Sequence, residues 1–170
     1  FDVDERMMDT AKIRTQEAGV ADRISFVHRN YADLLSVLWD QKVDFILNDL
    51  GVNLEHFKAV ERGFSIRGNA FLDMRFDTST GKTAADVLNT YSLEQLVRVF
   101  EQYADFSSPK AQEIARHLVI LRKKTPFATT QDFKLALHDC GLWDKASTVI
   151  FQSIRIEVNG ELDNLKRFLI

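Results

Sequence analysis

The residues best equipped for chemistry fall between Val43 and Asp77, in VDFILNDLGVNLEHFKAVERGFSIRGNAFLDMRFD. Asp49 follows a short apolar run, Val43 to Leu47, that carries one acid, Asp44, and is rich in β-branched and aromatic residues. Such a run reads as a buried parallel strand. An acid with a glycine close behind it, here Asp49 and Gly51, at the carboxyl end of such a strand stands where open α/β sheets hold their ligands. Two segments without helical or strand period follow, Glu61-Arg62-Gly63-Phe64-Ser65 and Leu72-Asp73-Met74-Arg75-Phe76-Asp77. Carboxylates accept hydrogen bonds and protons, and guanidinium groups donate to anions. An ordered loop mixing these groups after a strand end reads as a site rather than a connector. The alternative is a structural clasp, with the arginines paired to Glu61, Asp73 or Asp77.

The flanking chain supplies the scaffold. Phe1 to Val3 reads as the end of a strand, with Asp2 at its tip. Glu5 to Ala18 is predicted helical, with Met8, Ala11, Ile13 and Ala18 apolar and Gly19 at the C-cap. Ile24 to His28 is a predicted strand, Tyr31 follows it, and Leu34 to Trp39 reads as a buried helix face. Alternating strands and helices predict an α/β fold with a parallel sheet and right-handed crossovers. From Thr83 to about Cys140 the period becomes helical. Helices are expected over Ala84–Leu88, from the Ser92-x-x-Gln95 capping box through Tyr103, and from a Ser108 cap with Pro109 at N1 to Arg122. Ile114, Leu118 and Leu121 share one face of that last helix, with Val119 near its edge. A further helix is expected from a Thr130 cap to Cys140. Asp144 to Ile170 reads as one long helix with a stripe of Val149, Ile150, Ile154, Val158, Leu162 and Leu165. Arg122-Lys123-Lys124 is either a phosphate contact or a solvated run favoured by the helix dipole.

Composition sets outer bounds. The chain has 170 residues, 45% hydrophobic and 28% charged, with a net charge of -3. That is an ordinary globular composition, and the charge does not suggest a broad nucleic-acid-binding surface. One cysteine, Cys140, rules out an internal disulfide and fits a reducing, cytoplasmic compartment. No apolar run approaches the roughly 20 residues of a membrane span. None of the four histidines has zinc-like spacing to another His or Cys, and no metal is expected.

The order DLGV, ERGFS, LDMR and then TAADVLNTYS (Thr83 to Ser92), with Phe151-Gln152-Ser153-Ile154-Arg155-Ile156-Glu157-Val158-Asn159-Gly160-Glu161-Leu162 near the end, resembles the small-subunit ribosomal RNA cytosine-N4 methyltransferase family, RsmH or MraW. The resemblance runs over nearly the whole chain, and ERGFS followed by LDMR is its specific part. It implies a Rossmann-like core that binds S-adenosylmethionine (SAM), with an inserted all-helical domain. The expected division is a partial SAM-binding core over 1–82, the insertion over 83–142, and a helix over 143–170 returning to the core. It implies methyl transfer to the exocyclic N4 of a cytidine in the decoding region of small-subunit rRNA, naked or in an assembled subunit, with no membrane partner.

Residue by residue, the family's ribose-binding acid falls on Asp2, its aromatic adenine contact on Tyr31, its SAM-contacting acid on Asp49 and its SAM-contacting glutamine on His56. Three of these have a plainer reading: Asp2 or Asp4 caps the next helix, Tyr31 packs on the sheet, and His56 is a surface residue. Asp73 is the candidate proton acceptor, Phe64 a candidate stacking surface, and Arg62 and Arg75 candidate phosphate or base contacts. The chain departs from the family at Asn53-Leu54-Glu55-His56, where SSPQ is usual, and at Lys145 and Val149, which replace a His and an Arg. These departures keep open a ribosome-assembly or RNA-binding relative without catalysis. A nicotinamide-dependent dehydrogenase is a third reading, against which ERGFS plus LDMR argues. The sequence opens at Phe1 without methionine and stops at Ile170 inside a helical pattern, so it reads as an internal piece. It lacks the family's glycine-rich SAM loop and later strands, and is expected to be marginally stable and inactive alone.

Overall fold

The computed structural model describes residues 1–170, the Asp144 side chain excepted. The chain forms α1 (Glu5–Glu17), α2 (Leu34–Leu38), α3 (Leu54–Lys58), α4 (Ala84–Thr90), α5 (Leu93–Ala104), α6 (Ser108–Lys124), α7 (Thr130–Asp139), α8 (Asp144–Asn159) and α9 (Glu161–Leu169). It divides into two compact units, 1–50 with 76–80 and 160–170, and 51–75 with 81–159. ERGFS and LDMR therefore group with the helices α4 to α8, whereas the sequence reading put them with residues 1–82.

In the first unit Asp4 caps α1, its carboxylate accepting from Arg6 N at 3.1 Å. The α/β expectation meets its main difference here. Among the described residues of this unit no ladder forms, only a parallel bridge between Asp2 and His28, with Asp2 N donating to the Val27 carbonyl at 3.3 Å. Val43 to Leu47 does not form the buried strand expected of it: Phe45 is 79% and Leu47 81% exposed. Leu34 to Trp39 is not a buried face either, since α2 has no buried residue and Trp39 is exposed. The physical reason is shared. A parallel strand buries both faces only when neighbours pair with its edges and helices cover it, and the run from Val43 has neither. The last element, α9, packs here: Tyr31 donates from its hydroxyl to the Glu161 carbonyl at 3.2 Å and meets the Phe168 ring edge-on at 5.7 Å. Arg167 pairs with Asp33 at 2.7 Å.

The second unit is a helical core. Leu88, Leu96, Phe100, Ile114, Leu118, Phe133, Leu137, Ile150 and Ile154 are each fully buried. Phe133 stacks on Phe151 at 4.8 Å and takes the edge of Phe127 at 6.1 Å. Thr83 and Ser92 close capping boxes with Asp86 and Gln95, which fixes where α4 and α5 begin. The caps of α6 and α7 are Ser107 and Thr129, one residue before those expected, so Pro109 stands in the first turn rather than at N1. Thr130 is instead buried, accepting from Ala70 N at 3.1 Å and donating to the Gly68 carbonyl at 2.8 Å. Arg122 is committed to structure: its guanidinium donates to the Leu88 and Tyr91 carbonyls, both at 2.6 Å, closing the end of α4, while Lys123 and Lys124 stay exposed. The single long helix expected after Asp144 is broken at Gly160, which takes φ +57° between α8 and α9.

The end of α4 also holds a tyrosine with an altered titration. Tyr91 donates to Glu157 Oε1 at 2.8 Å, and burial first, then that bond, pushes its pKa up to about 12. The neutral phenol is the form the fold favours. Its contribution is complete below the unfolded value near 10 and is lost as pH rises through about 12. Stability should fall across that window in the wild type and less steeply in Tyr91→Phe, as read by denaturant melts at stepped pH.

Candidate functional site

Of the residues proposed to touch the cofactor, three lie in the first unit. Asp2 is exposed, and one carboxylate oxygen accepts from Asp4 N at 2.8 Å. The other oxygen accepts from no group among the described residues, so the carboxylate keeps the acceptor capacity that a ribose diol needs. Asp49 is exposed and engages no group among the described residues. Tyr31 is half-buried under α9; its pKa is raised, first by burial and then by Glu161. His56, in the second unit, has a local task. It is 5% exposed, its Nδ1 accepts from Asn53 N at 3.1 Å, and Asn53 Oδ1 accepts from His56 N at 3.1 Å. This capping box starts α3 from the segment where SSPQ was expected. The carboxylates of Asp2 and Asp49 thus offer acceptors of the kind SAM hydroxyls or amines would need, whereas His56 Nδ1 is already engaged by Asn53 N. Lys145 is exposed and Val149 half-buried on α8. Among the described residues no cluster of His, Cys, Asp or Glu is placed to hold a metal.

The substrate candidates and Asp73 all lie in the second unit, and the structure brings them together. Val60–Arg62 makes a 3-10 turn that ends at Gly63 in the left-handed region, φ +73°. The turn presses on the LDMR loop: a Cβ on Gly63 would overlap the Phe71 carbonyl oxygen and stand 3.0 Å from Asp73 N. Arg62, 5% exposed, donates from Nη2 to the Arg75 carbonyl at 2.7 Å, and its own carbonyl accepts from Met74 N at 3.0 Å. Phe64, 7% exposed, lies 5.3 Å under the Arg62 guanidinium and takes the His56 ring edge-on at 5.2 Å. Arg62 and Phe64 thus face the interior, beneath the loop.

Asp73 and Arg75 lie above them. Arg75 grips Asp73 with both arms, Nε to Oδ1 at 2.7 Å and Nη2 to Oδ2 at 2.9 Å, and Arg75 N adds a bond to Oδ1 at 3.1 Å. Their side chains are 17% and 18% exposed. A carboxylate offers about four lone-pair sites; three are occupied here, and the open one is on Oδ2. The rest of the loop is sewn down. Ala84 N and Ala85 N donate to the Asp73 and Leu72 carbonyls at 2.7 and 2.8 Å, and Leu72 N donates to the Ala128 carbonyl at 3.0 Å. Phe71 and Thr129 form an antiparallel bridge. The clasp alternative accounts for the Arg75–Asp73 pair, and the loop still presents a carboxylate with an unused acceptor.

The sequence profile of the MraW methylase family matches residues 1–170. The chain belongs to the MraW methylase family. Among curated members, proteins named "Ribosomal RNA small subunit methyltransferase H" are similar to it. The one from Syntrophotalea carbinolica is 38% identical over 163 residues, 91% of this chain and 51% of that protein. Those from Bifidobacterium longum and Azobacteroides pseudotrichonymphae are 37% and 40% identical, covering 97% and 87% of this chain and 48% and 50% of theirs. The chain spans about half the length of these MraW relatives. Family membership implies a Rossmann-like methyltransferase fold, of which the Asp2–His28 bridge is the one parallel contact present here.

Sequence reasoning missed several groups that shape the site. Asn159 donates from Nδ2 to the Met74 carbonyl at 2.8 Å and to the Arg155 carbonyl at 2.9 Å. Asn89 pairs reciprocally with the Phe127 backbone at 2.8 and 2.9 Å. The signal for Asn159 was present, a short polar side chain at a helix end directly before a glycine, inside the FQSIRIEVNGEL segment.

Proposed function

We propose that this chain is part of an enzyme that transfers the methyl group of SAM to the exocyclic N4 of a cytidine in the decoding region of small-subunit rRNA. The reading is carried by the family match over 1–170, together with relatives named for small-subunit rRNA methylation. SAM supplies, when bound, an electrophilic methyl on sulfur. Asp2 accepts from its ribose hydroxyls, and Asp49 holds it from the end of the Val43–Leu47 run. The cytosine amine is a weak nucleophile because its lone pair is delocalised into the ring. The enzyme must therefore align the nitrogen and draw off a proton. Asp73 is the acceptor in this reading, through the open lone pair on Oδ2, with Arg75 fixing its orientation. Arg62 and Phe64 serve the substrate from beneath by holding the loop. The base leaves its stack, or is already unpaired, to be reached.

The test uses the full-length protein, labelled SAM and unmodified small ribosomal subunits, with the RNA digested and read by mass spectrometry. N4-methylcytidine is the expected product. Binding of SAM without that nucleoside would make the substrate wrong, and neither result would favour a ribosome-binding relative without chemistry. Within this reading Asp49→Ala removes a charged acceptor, and SAM affinity should weaken by about 10- to 100-fold. Titration calorimetry checks this, and an unchanged dissociation constant takes Asp49 out of the site.

A further inference from the structure

Met74 holds a backbone conformation that methionine rarely adopts, φ +62°, with its side chain 1% exposed. Such a residue persists only where its surroundings over-determine it, and such positions concentrate at working loops. Resting on the role given above to Asp73, we propose that Asn159 is a positioning residue for methyl transfer, pinning the peptide that aims the Asp73 carboxylate.

The argument turns on one planar group. The peptide between Met74 and Arg75 is a rigid plane with the Met74 carbonyl on one edge and Arg75 N–H on the other. Asn159 Nδ2 donates to that carbonyl at 2.8 Å, and Arg75 N donates to Asp73 Oδ1 at 3.1 Å. The Asn159 amide is itself fixed, since Nδ2 also donates to the Arg155 carbonyl at 2.9 Å, one turn back on α8. Its two amide hydrogens tie the end of α8 to the strained peptide. Arg62 holds the next carbonyl, that of Arg75, at 2.7 Å. With Asn159 removed, the Met74 carbonyl loses this donor and the Met74–Arg75 peptide can turn about its flanking Cα bonds. Arg75 N then leaves Asp73, and the open lone pair of Oδ2 turns away from its present direction.

The experiment compares full-length wild type, Asn159→Ala and Asn159→Gln. Turnover on small subunits, SAM KM and thermal midpoint are measured for each. Exchange of the Arg75 Nε–H with solvent is followed by NMR of arginine-labelled protein. Asn159→Ala should lower kcat by about 100-fold, because misplacement of a reacting group by about 1 Å has that effect, with SAM KM within two-fold. Asn159→Gln, which keeps the donor, should recover at least ten-fold of the loss. The Arg75 Nε–H should be protected in wild type and exchange rapidly in Asn159→Ala. A kcat for Asn159→Ala within three-fold of wild type would overturn the proposal, as would losses that follow the thermal midpoint equally in both variants. If wild type itself transfers no methyl group, the proposed function falls. The Arg75 exchange then decides the role of Asn159 alone, and unchanged protection in Asn159→Ala overturns it.

Discussion

Gly63→Ala should destabilise the second unit by on the order of 4 kcal/mol, near the upper end for a single substitution. Two effects combine. Gly63 takes φ +73°, where any L side chain is strained. The added Cβ would also run into the Phe71 carbonyl oxygen, with Asp73 N 3.0 Å away. Both neighbours are backbone, so no flexible side chain can swing aside. The Phe71–Asp73 segment is held from behind by Leu72 N on the Ala128 carbonyl and by Ala85 N on the Leu72 carbonyl. Relief therefore requires the ERGFS turn to lift away, which exposes Arg62 and Phe64 together. Gly81, at φ +80° with open space around its Cβ position, is the control: alanine there meets backbone strain alone and should cost about 1 kcal/mol. Denaturant midpoints of the two variants check the difference. Equal losses would mean that the Gly63 contact is not tight.

These effects bear on what could be read without coordinates. The helix start at Ser92 was legible because a capping box is a local pattern four residues long, and the box forms; the helix at Ala84 was read without its Thr83 box, whose acid is Asp86. Helix starts slipped by one residue at Ser107 and Thr129, where two candidate capping residues stand side by side; Ser107 makes no side-chain cap bond, and at Thr129 a tertiary contact takes its neighbour. Thr130 is taken by Gly68 and Ala70, far away in sequence. The strands were not legible in the same way. Val43–Leu47 has the composition of a buried strand, but its burial depends on neighbours that no local pattern supplies. The break at Gly160 was hidden because the apolar stripe continues through it, with only the glycine to mark the change. In the site, the choice between clasp and catalytic loop could not be made from residue types, since Asp, Arg and Gly serve both. The structure shows the clasp in the Arg75–Asp73 pair and shows Arg62 and Phe64 buried beneath it. Asn159 was overlooked because it ends a helix read for its apolar face.

Asp73→Asn should lower kcat for methyl transfer by about 100- to 10,000-fold, the range for loss of a positioned proton acceptor. The amide keeps the shape of the side chain, so the loop need not collapse. It keeps one acceptor oxygen for Arg75 but loses the charge that, in the proposed mechanism, draws a proton from the cytosine amine. SAM affinity should stay within two-fold, because Asp73 is not among the residues assigned to the cofactor. The competing account is that Asp73 serves only to hold Arg75. The pair is partly exposed, 17% and 18%, so its loss should lower stability by only about 1 kcal/mol. Arg75→Lys separates the two accounts. It replaces the two-armed grip on Asp73 with a single ammonium donor while leaving the carboxylate in place. If Asp73 only clasps, Asp73→Asn and Arg75→Lys should reduce turnover alike, in step with their thermal midpoints. If Asp73 accepts the proton, Asp73→Asn should fall at least ten-fold below Arg75→Lys at matched stability. Turnover of Asp73→Asn near the wild-type rate would remove Asp73 from the chemistry and leave LDMR as structure.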